Sequence, residues 1–181
     1  MSHKYKAKYP GELYFVTITV IDWVDLLTRP VYKDVIIDSL KHCQKAKGLN
    51  VHAYVIMSNH WHAILSSDSL TLEDIMRDMK KFVSKQLINL VKSSNESRKV
   101  WILKKFEFAA DRVEKGVNYK VWKDGYHPVH LSSNEMIEQK LDYIHENPVK
   151  AGLVYEPEHY VYSSSRDYAG LSGLIALQML D

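Results

Sequence analysis

The sequence has little cysteine and no long hydrophobic run. Cys43 is its one cysteine, which excludes an intramolecular disulfide and a cysteine-rich metal site and fits a protein of the reducing cytoplasm. A membrane helix needs about 18 consecutive apolar residues, so no membrane-spanning segment is predicted. The first ten residues are polar and rich in lysine, unlike the apolar core of a signal peptide.

An excess of charge of one sign is also missing. The formal net charge is +2 with 25% charged residues, so only local clusters of basic residues could indicate a nucleic-acid-binding protein. A hydrophobic share of 46% over 181 residues is ordinary for a globular protein. Length and composition predict one domain over residues 1–181, with a basic arm over 1–10 and a C-terminal tail over 155–181.

Hydrophobic periodicity predicts an alternating order of strands and helices. The predicted elements are a strand over 13–21, a helix over 30–48, strands over 51–57 and 60–66, a helix from residue 71, an edge strand around 119–123, and a helix that is capped by Ser132 and stopped by Pro148. This order predicts a ferredoxin-like α+β sandwich, in which an antiparallel sheet carries helices on one face. The helix before Pro148 is appended to it.

The segment His60-Trp61-His62 places two potential metal ligands around one bulky apolar residue. Successive side chains of a strand point to opposite faces, so both histidines would share a face, with Cα atoms about 6.5–7 Å apart. Trp61 would then face the core. Two converging imidazoles can bind a divalent ion. The same spacing also arises on a solvated strand, and nine histidines make chance pairs common.

Tyr143 and Asn147 lie four residues apart, which places them one turn apart on the same side of a helix. A phenol can attack a phosphodiester when a metal polarises the phosphate. The alternative is structural, because a half-buried tyrosine on a helix usually packs and asparagine before proline commonly ends a helix.

Several segments resemble HUH single-strand nucleases and REP-associated tyrosine transposases. Residues 57–62 contain the HUH motif, two histidines around a hydrophobic residue, and residues 143–154 are similar to the tyrosine segment of the transposases. Residues 13–17 and 160–168 resemble flanking segments of the same group. The resemblance covers nearly the whole chain. It implies a ferredoxin-like fold and a substrate of single-stranded DNA, usually beside a hairpin.

The resemblance also implies roles for individual residues. His60 and His62 match the metal ligands, for Mg²⁺ or Mn²⁺, and Tyr143 matches the nucleophile of a DNA transposase. Its attack would leave a 5′-phosphotyrosine and a free 3′-hydroxyl that can rejoin the strand. Asn147 matches the third ligand by resemblance. Glu146 is the alternative, because a carboxylate is a stronger ligand for a hard cation.

Two groups of basic residues are candidates for DNA binding. They are Arg77, Lys80, Lys81 and Lys85 on the predicted helix from residue 71, and Lys4 and Lys6 near the start. The first group could contact phosphates without reading sequence, although a solvated helix face gives the same pattern. The second has tyrosines interleaved and could track a strand, or could be a disordered terminus.

Three functions follow from these observations. The first is a tyrosine transposase, the second a non-catalytic relative that binds DNA hairpins, and the third a metal-dependent phosphodiesterase that uses water. The presence of both histidines and Tyr143 favours the first over the second. A covalent protein–DNA adduct would exclude the third. A monomer and a homodimer that shares its site between subunits both remain open.

Overall fold

A computed structural model describes residues 10–68, 70–112, 116 and 118–180. Its sheet is antiparallel and has the strand order β2-β3-β1-β4, with β1 at Tyr14–Thr19, β2 at Leu49–Ile56, β3 at His60–Ser67 and β4 at Val129–His130. The helices are α1 at Pro30–Lys47, α2 at Leu72–Ser93, α3 at Lys99–Asp111, α4 at Asn134–Lys150 and α5 at Ser165–Tyr168. The order of elements and strands is ferredoxin-like, which confirms the predicted fold class.

Helices cover both faces of the sheet. On one face, α1 and α2 pack on a core that includes Trp61 and Leu65 of β3. On the opposite face, Ile144 of α4 packs with Phe15 of β1 and Ile64 of β3. Both faces of the central strands are apolar, so each needs a covering layer. The predicted helices on one face are therefore α1 and α2, and α4 forms a separate layer.

The register of β3 decides which of its residues lie under α4. Pairing with β1 runs without interruption from Tyr14 opposite Leu65 to Thr19 opposite His60. Alternation therefore places His60 and His62 on the face that α4 covers, while Trp61 is buried in the other core with 1% of its surface exposed. The predicted alternation around Trp61 is confirmed.

The ends of two helices test the predicted caps. Gly48 follows α1 in the left-handed conformation with φ 63°, as the sequence predicts. The cap of α4 is Ser133, whose side chain accepts a hydrogen bond from the backbone N–H of Met136. The predicted cap, Ser132, is thus one residue early. Pro148 lies inside α4, which continues to Lys150. A proline removes only one backbone donor, so the last turn persists around it.

The edge of the sheet beside β1 differs from the prediction. The sequence predicts an edge strand around 119–123, and residues 121–123 do pair with the end of β1, through a bridge of Trp122 with Val20 and backbone hydrogen bonds on either side of it, but they form no continuous strand. On the side of β1 away from β3, the named strand that pairs with it is β4. This strand follows a turn at Gly125, which has φ 75°. The preceding region forms the 13-residue α3. Every helix in the described ranges is too short or too polar to span a membrane.

Candidate active site

Two histidines of β3 and a tyrosine of α4, far from them in the sequence, meet on the face of the sheet that α4 covers. The ring centroids of His60 and His62 are 4.8 Å apart. The ring of Tyr143, on α4, is centred 5.1 Å from that of His62 at an interplanar angle of 73°. All three belong to one chain, so a single protomer brings the histidine pair and the tyrosine together.

Each histidine is oriented by a polar neighbour. Thr17 lies opposite His62 in the pairing of β1 with β3, and its Oγ1 is 2.9 Å from Nδ1 of His62. The side-chain oxygen of Asn59 is 2.6 Å from Nδ1 of His60. Because an amide oxygen only accepts, Nδ1 of His60 donates and Nε2 keeps its lone pair. Metal-binding histidines are commonly held in this way through the second ring nitrogen.

The histidine pair has the properties of a metal-binding pair. Nε2 of His62 is buried and has no hydrogen-bond partner among the described residues. Burial, with smaller contributions from the charges of His60 and Lys140, lowers the pKa of His62 to about 3. Burial also lowers the pKa of His60. Both imidazoles are therefore neutral at pH 7, which is the form that binds a metal. The Nε2 atoms of His60 and His62 are therefore suitable donors for a divalent ion.

The third ligand stays a prediction. Asn147 is half-buried on α4, one turn after Tyr143, and its amide makes no hydrogen bond within the described chain. No group of three His, Cys, Asp or Glu residues surrounds a metal position in the described ranges, so Glu146 does not complete the histidine pair in this conformation. His145 points elsewhere, with Nε2 3.0 Å from Oγ of Ser164.

Tyr143 is accessible from solvent. Its side chain is 41% exposed, and its hydroxyl has no hydrogen-bond partner among the residues that the structure describes. Phe15 stacks on His62 at 5.3 Å between centroids and meets the Tyr143 ring edge-on at 5.9 Å. Phe15 thus packs against both rings.

Lys140 also borders the site, although sequence reasoning did not select it. Its Nζ lies 5.0 Å from the ring centroid of Phe15 and 5.8 Å from that of Tyr143. The signal that could have identified it is its spacing, because a residue three positions before Tyr143 lies on the same side of a helix. Its ammonium places a positive charge beside the exposed phenol.

The predicted DNA-binding residues have different surroundings. Arg77 forms ion pairs with Asp74 at 2.6 Å and with Asp78 at 3.1 Å, so its charge is balanced locally. Lys81 and Lys85 are exposed on α2. Two further predicted residues, Lys4 and Lys6, lie outside the described residues.

Lys80 holds a neighbouring segment in place. Its Nζ donates to the backbone carbonyl of Lys123 at 3.2 Å and to that of Gly125. Burial lowers the pKa of Lys80 to about 8. The ammonium is therefore engaged with backbone oxygens, which distinguishes it from the exposed amine of Lys81.

Replacing Lys80 with methionine is expected to lower the free energy of unfolding by about 1–3 kcal/mol, because two backbone carbonyls lose a charged donor. Chemical denaturation measures the difference. The matched control is Lys81→Met on the exposed side of α2, which should stay within about 0.5 kcal/mol of the unmodified protein. Equal stability of the two variants would contradict the anchoring role.

Comparison with known proteins gives matches in structure alone. No family model matches the sequence, and no curated protein matches it. The structure of a REP-associated tyrosine transposase bound to a REP hairpin matches with a TM-score of 0.67 and 18% identity, over 97% of this chain and 91% of that chain. A proposed transposase from Deinococcus radiodurans R1 gives a TM-score of 0.43 and 17% identity, over 77% of this chain and 92% of that chain. The chain thus has the fold of a REP-associated tyrosine transposase.

Proposed function

We propose that this protein is a DNA transposase of the REP-associated tyrosine type, which cleaves and rejoins single-stranded DNA. The observation that carries the proposal is the position of Tyr143, 5.1 Å from His62 between ring centroids. The proposed nucleophile and the proposed pair of metal ligands, which are distant in the sequence, thus lie side by side, with the Tyr143 ring on the exposed side. The transposase with the same fold is bound to a REP hairpin, which supports a strand beside a hairpin as the substrate.

The proposed reaction is a transesterification at Tyr143. The phenol oxygen attacks the scissile phosphorus, a P–O bond to the tyrosine forms, and the bond from phosphorus to the 3′ oxygen breaks. The phenol loses its proton and the departing 3′ oxygen gains one, so no net proton is consumed. The 5′ end stays on the protein as a phosphotyrosine. Attack by a 3′-hydroxyl reverses the step and rejoins a strand without another source of energy.

The neighbouring residues prepare this attack. His60 and His62 would hold Mg²⁺ or Mn²⁺, with Asn147 as the proposed third ligand. A divalent ion bound there supplies a Lewis acid for the scissile phosphate. The hydrogen-bonding neighbours of the two imidazoles keep their rings oriented. The ammonium of Lys140, close to the Tyr143 ring, stabilises negative charge on the phenol oxygen and the phosphate.

The test is the formation of a covalent adduct. The protein is incubated with Mn²⁺ and a pool of oligonucleotides in which randomised single strands flank a hairpin. We expect a DNA-linked protein species, and mass spectrometry of its peptides should locate the DNA on Tyr143. Cleavage that releases a free 5′-phosphate without any adduct would indicate a phosphodiesterase that uses water. Hairpin binding without cleavage would indicate a non-catalytic relative.

A further inference from the structure

A groove lined by lysines lies between α2 and residues 118–125. Its volume is about 760 Å³. The exposed basic residues along it are Lys81, Lys85 and Lys123. The carboxylate of Asp124, which also lines the groove, pairs with Lys120 at 2.8 Å. The three exposed ammonium groups therefore leave a net positive surface, which suits an anionic polymer.

Trp23 connects this lysine groove to the candidate active site. Its ring centroid is 6.0 Å from that of His60, with the planes at 74°. Nζ of Lys123, at the rim of the groove, is 5.1 Å from the centre of the same ring. Trp23 is 57% exposed. Trp23 thus offers an open aromatic surface between the histidine pair and the groove.

The backbone that presents Trp23 is strained. Asp22 has φ 53° and Trp23 has φ 55°, in the left-handed region that bulky side chains rarely adopt. Because the indole is largely exposed, burial in the core does not explain this conformation. Strain of this kind is concentrated at functional sites. The exposed ring is thus held by a backbone conformation that core packing does not require.

We propose that Trp23 stacks on a base of single-stranded DNA next to the scissile phosphate and that the strand continues into the lysine groove. The position of the scissile phosphate in this inference rests on the proposed function. Aromatic surfaces beside basic grooves bind single strands with little dependence on sequence. A base would displace the flexible side chain of Lys123 from the indole, and its ammonium would then bind a phosphate. Only an unpaired base can stack in this way, which favours a single strand over a duplex.

The first experiment measures binding by the Tyr143→Phe protein, which separates binding from cleavage. The probe is a fluorescently labelled oligothymidylate of about 16 nucleotides. Adding Trp23→Ala is expected to weaken binding about 10-fold, and Trp23→Phe should retain most of the affinity. The matched control is Trp101→Ala on α3, where the side chain is 46% exposed. That variant should bind as tightly as its parent.

The second experiment measures how salt affects binding by a variant without the three groove lysines. In Lys81→Ala/Lys85→Ala/Lys123→Ala, the slope of log affinity against log salt should fall by about 0.7 for each phosphate that the variant no longer neutralises. The control removes the same charge from three exposed lysines outside the groove, Lys41, Lys45 and Lys104. Its slope should match that of the parent.

The two experiments can fail independently of the proposed reaction. If the Trp23→Ala and triple-lysine variants bind the oligothymidylate like their parent, the proposed path of the strand over Trp23 and into the lysine groove is wrong, even when Tyr143 forms an adduct. If the variants weaken binding of a blunt hairpin but not of the single strand, the choice of a single strand is wrong. If Trp23 proves necessary for binding but the unmodified protein forms no adduct, the path is supported and the proposed reaction is wrong.

Discussion

Replacing Tyr143 with phenylalanine is expected to lower the rate of strand cleavage at least about 10³-fold, because it removes the atom that forms the covalent bond. The aromatic ring remains, so its edge-on contact with Phe15 at 5.9 Å is kept. The phenol oxygen has no hydrogen-bond partner in the described part of the chain, and its loss should leave stability unchanged. The measurement is the initial rate of adduct formation and cleavage on a 5′-labelled substrate selected from the randomised pool.

Tyr155→Phe is the matched control for this substitution. The Tyr155 side chain is 95% exposed and lies beyond the end of α4, so this variant should cleave within about 2-fold of the unmodified protein. Binding of the substrate by Tyr143→Phe should be similarly unaffected. If Tyr143→Phe cleaves normally and releases a 5′-phosphate, water is the nucleophile and the role assigned to Tyr143 is wrong.

The arrangement of the two histidines could be predicted because it follows from the geometry of one strand. Alternation requires His60 and His62 to share a face and Trp61 to occupy the other, and the structure has this arrangement. The approach of Tyr143 depends on which face of the sheet α4 covers. Helical periodicity shows that α4 has an apolar side, but it does not show which of two apolar sheet faces receives it.

The edge of the sheet could be predicted only in part from local sequence, because its pairing is formed by distant backbone groups. Residues 121–126 follow β1 through hydrogen bonds from Ile21 to Val121, from Lys123 to Thr19, and from Thr17 to Tyr126. These bonds involve main-chain atoms, which every residue type carries. With only two residues in β4, no alternating pattern distinguishes the strand.

Adjacent residues of the same type show how tertiary contacts decide a role. Lys80 and Lys81 look equivalent in the sequence, yet the first anchors backbone carbonyls and the second is exposed beside the groove. A helix turns by about 100° per residue, so neighbours meet different surroundings. Tertiary structure likewise decides the position of Trp23. Its left-handed backbone conformation could not be predicted from the residue type, because tryptophan rarely adopts it.

Removing both imidazoles in His60→Ala/His62→Ala is expected to lower the cleavage rate at least about 10²-fold, because Lewis-acid assistance is worth several kcal/mol. Treatment of the unmodified protein with a chelator should cause a similar loss, which added Mn²⁺ reverses. Mn²⁺ should not rescue the double variant. Cleavage rates and calorimetric titration with Mn²⁺ measure the two effects separately.

Folding must be controlled in this experiment because His62 is buried and stacked on Phe15. The single variant His60→Ala removes only a half-buried ring. It replaces the double variant in the cleavage and Mn²⁺-binding measurements if the double variant does not fold. His42→Ala, on the exposed side of α1, is the matched control and should retain activity and Mn²⁺ binding. Normal cleavage by a folded His60→Ala/His62→Ala protein after chelator treatment would exclude the proposed metal role.

A mixture of the Tyr143→Phe and His60→Ala/His62→Ala proteins is expected to remain inactive. His62 and Tyr143 of one chain are 5.1 Å apart between ring centroids, so every protomer in the mixture lacks one half of its own site. Exchange of α4 between protomers would unite the intact tyrosine of one chain with the intact histidines of the other. Cleavage by the mixture would therefore show that the working enzyme shares its site across a dimer. Continued inactivity, with each protein folded and binding DNA, would locate the reaction within one chain.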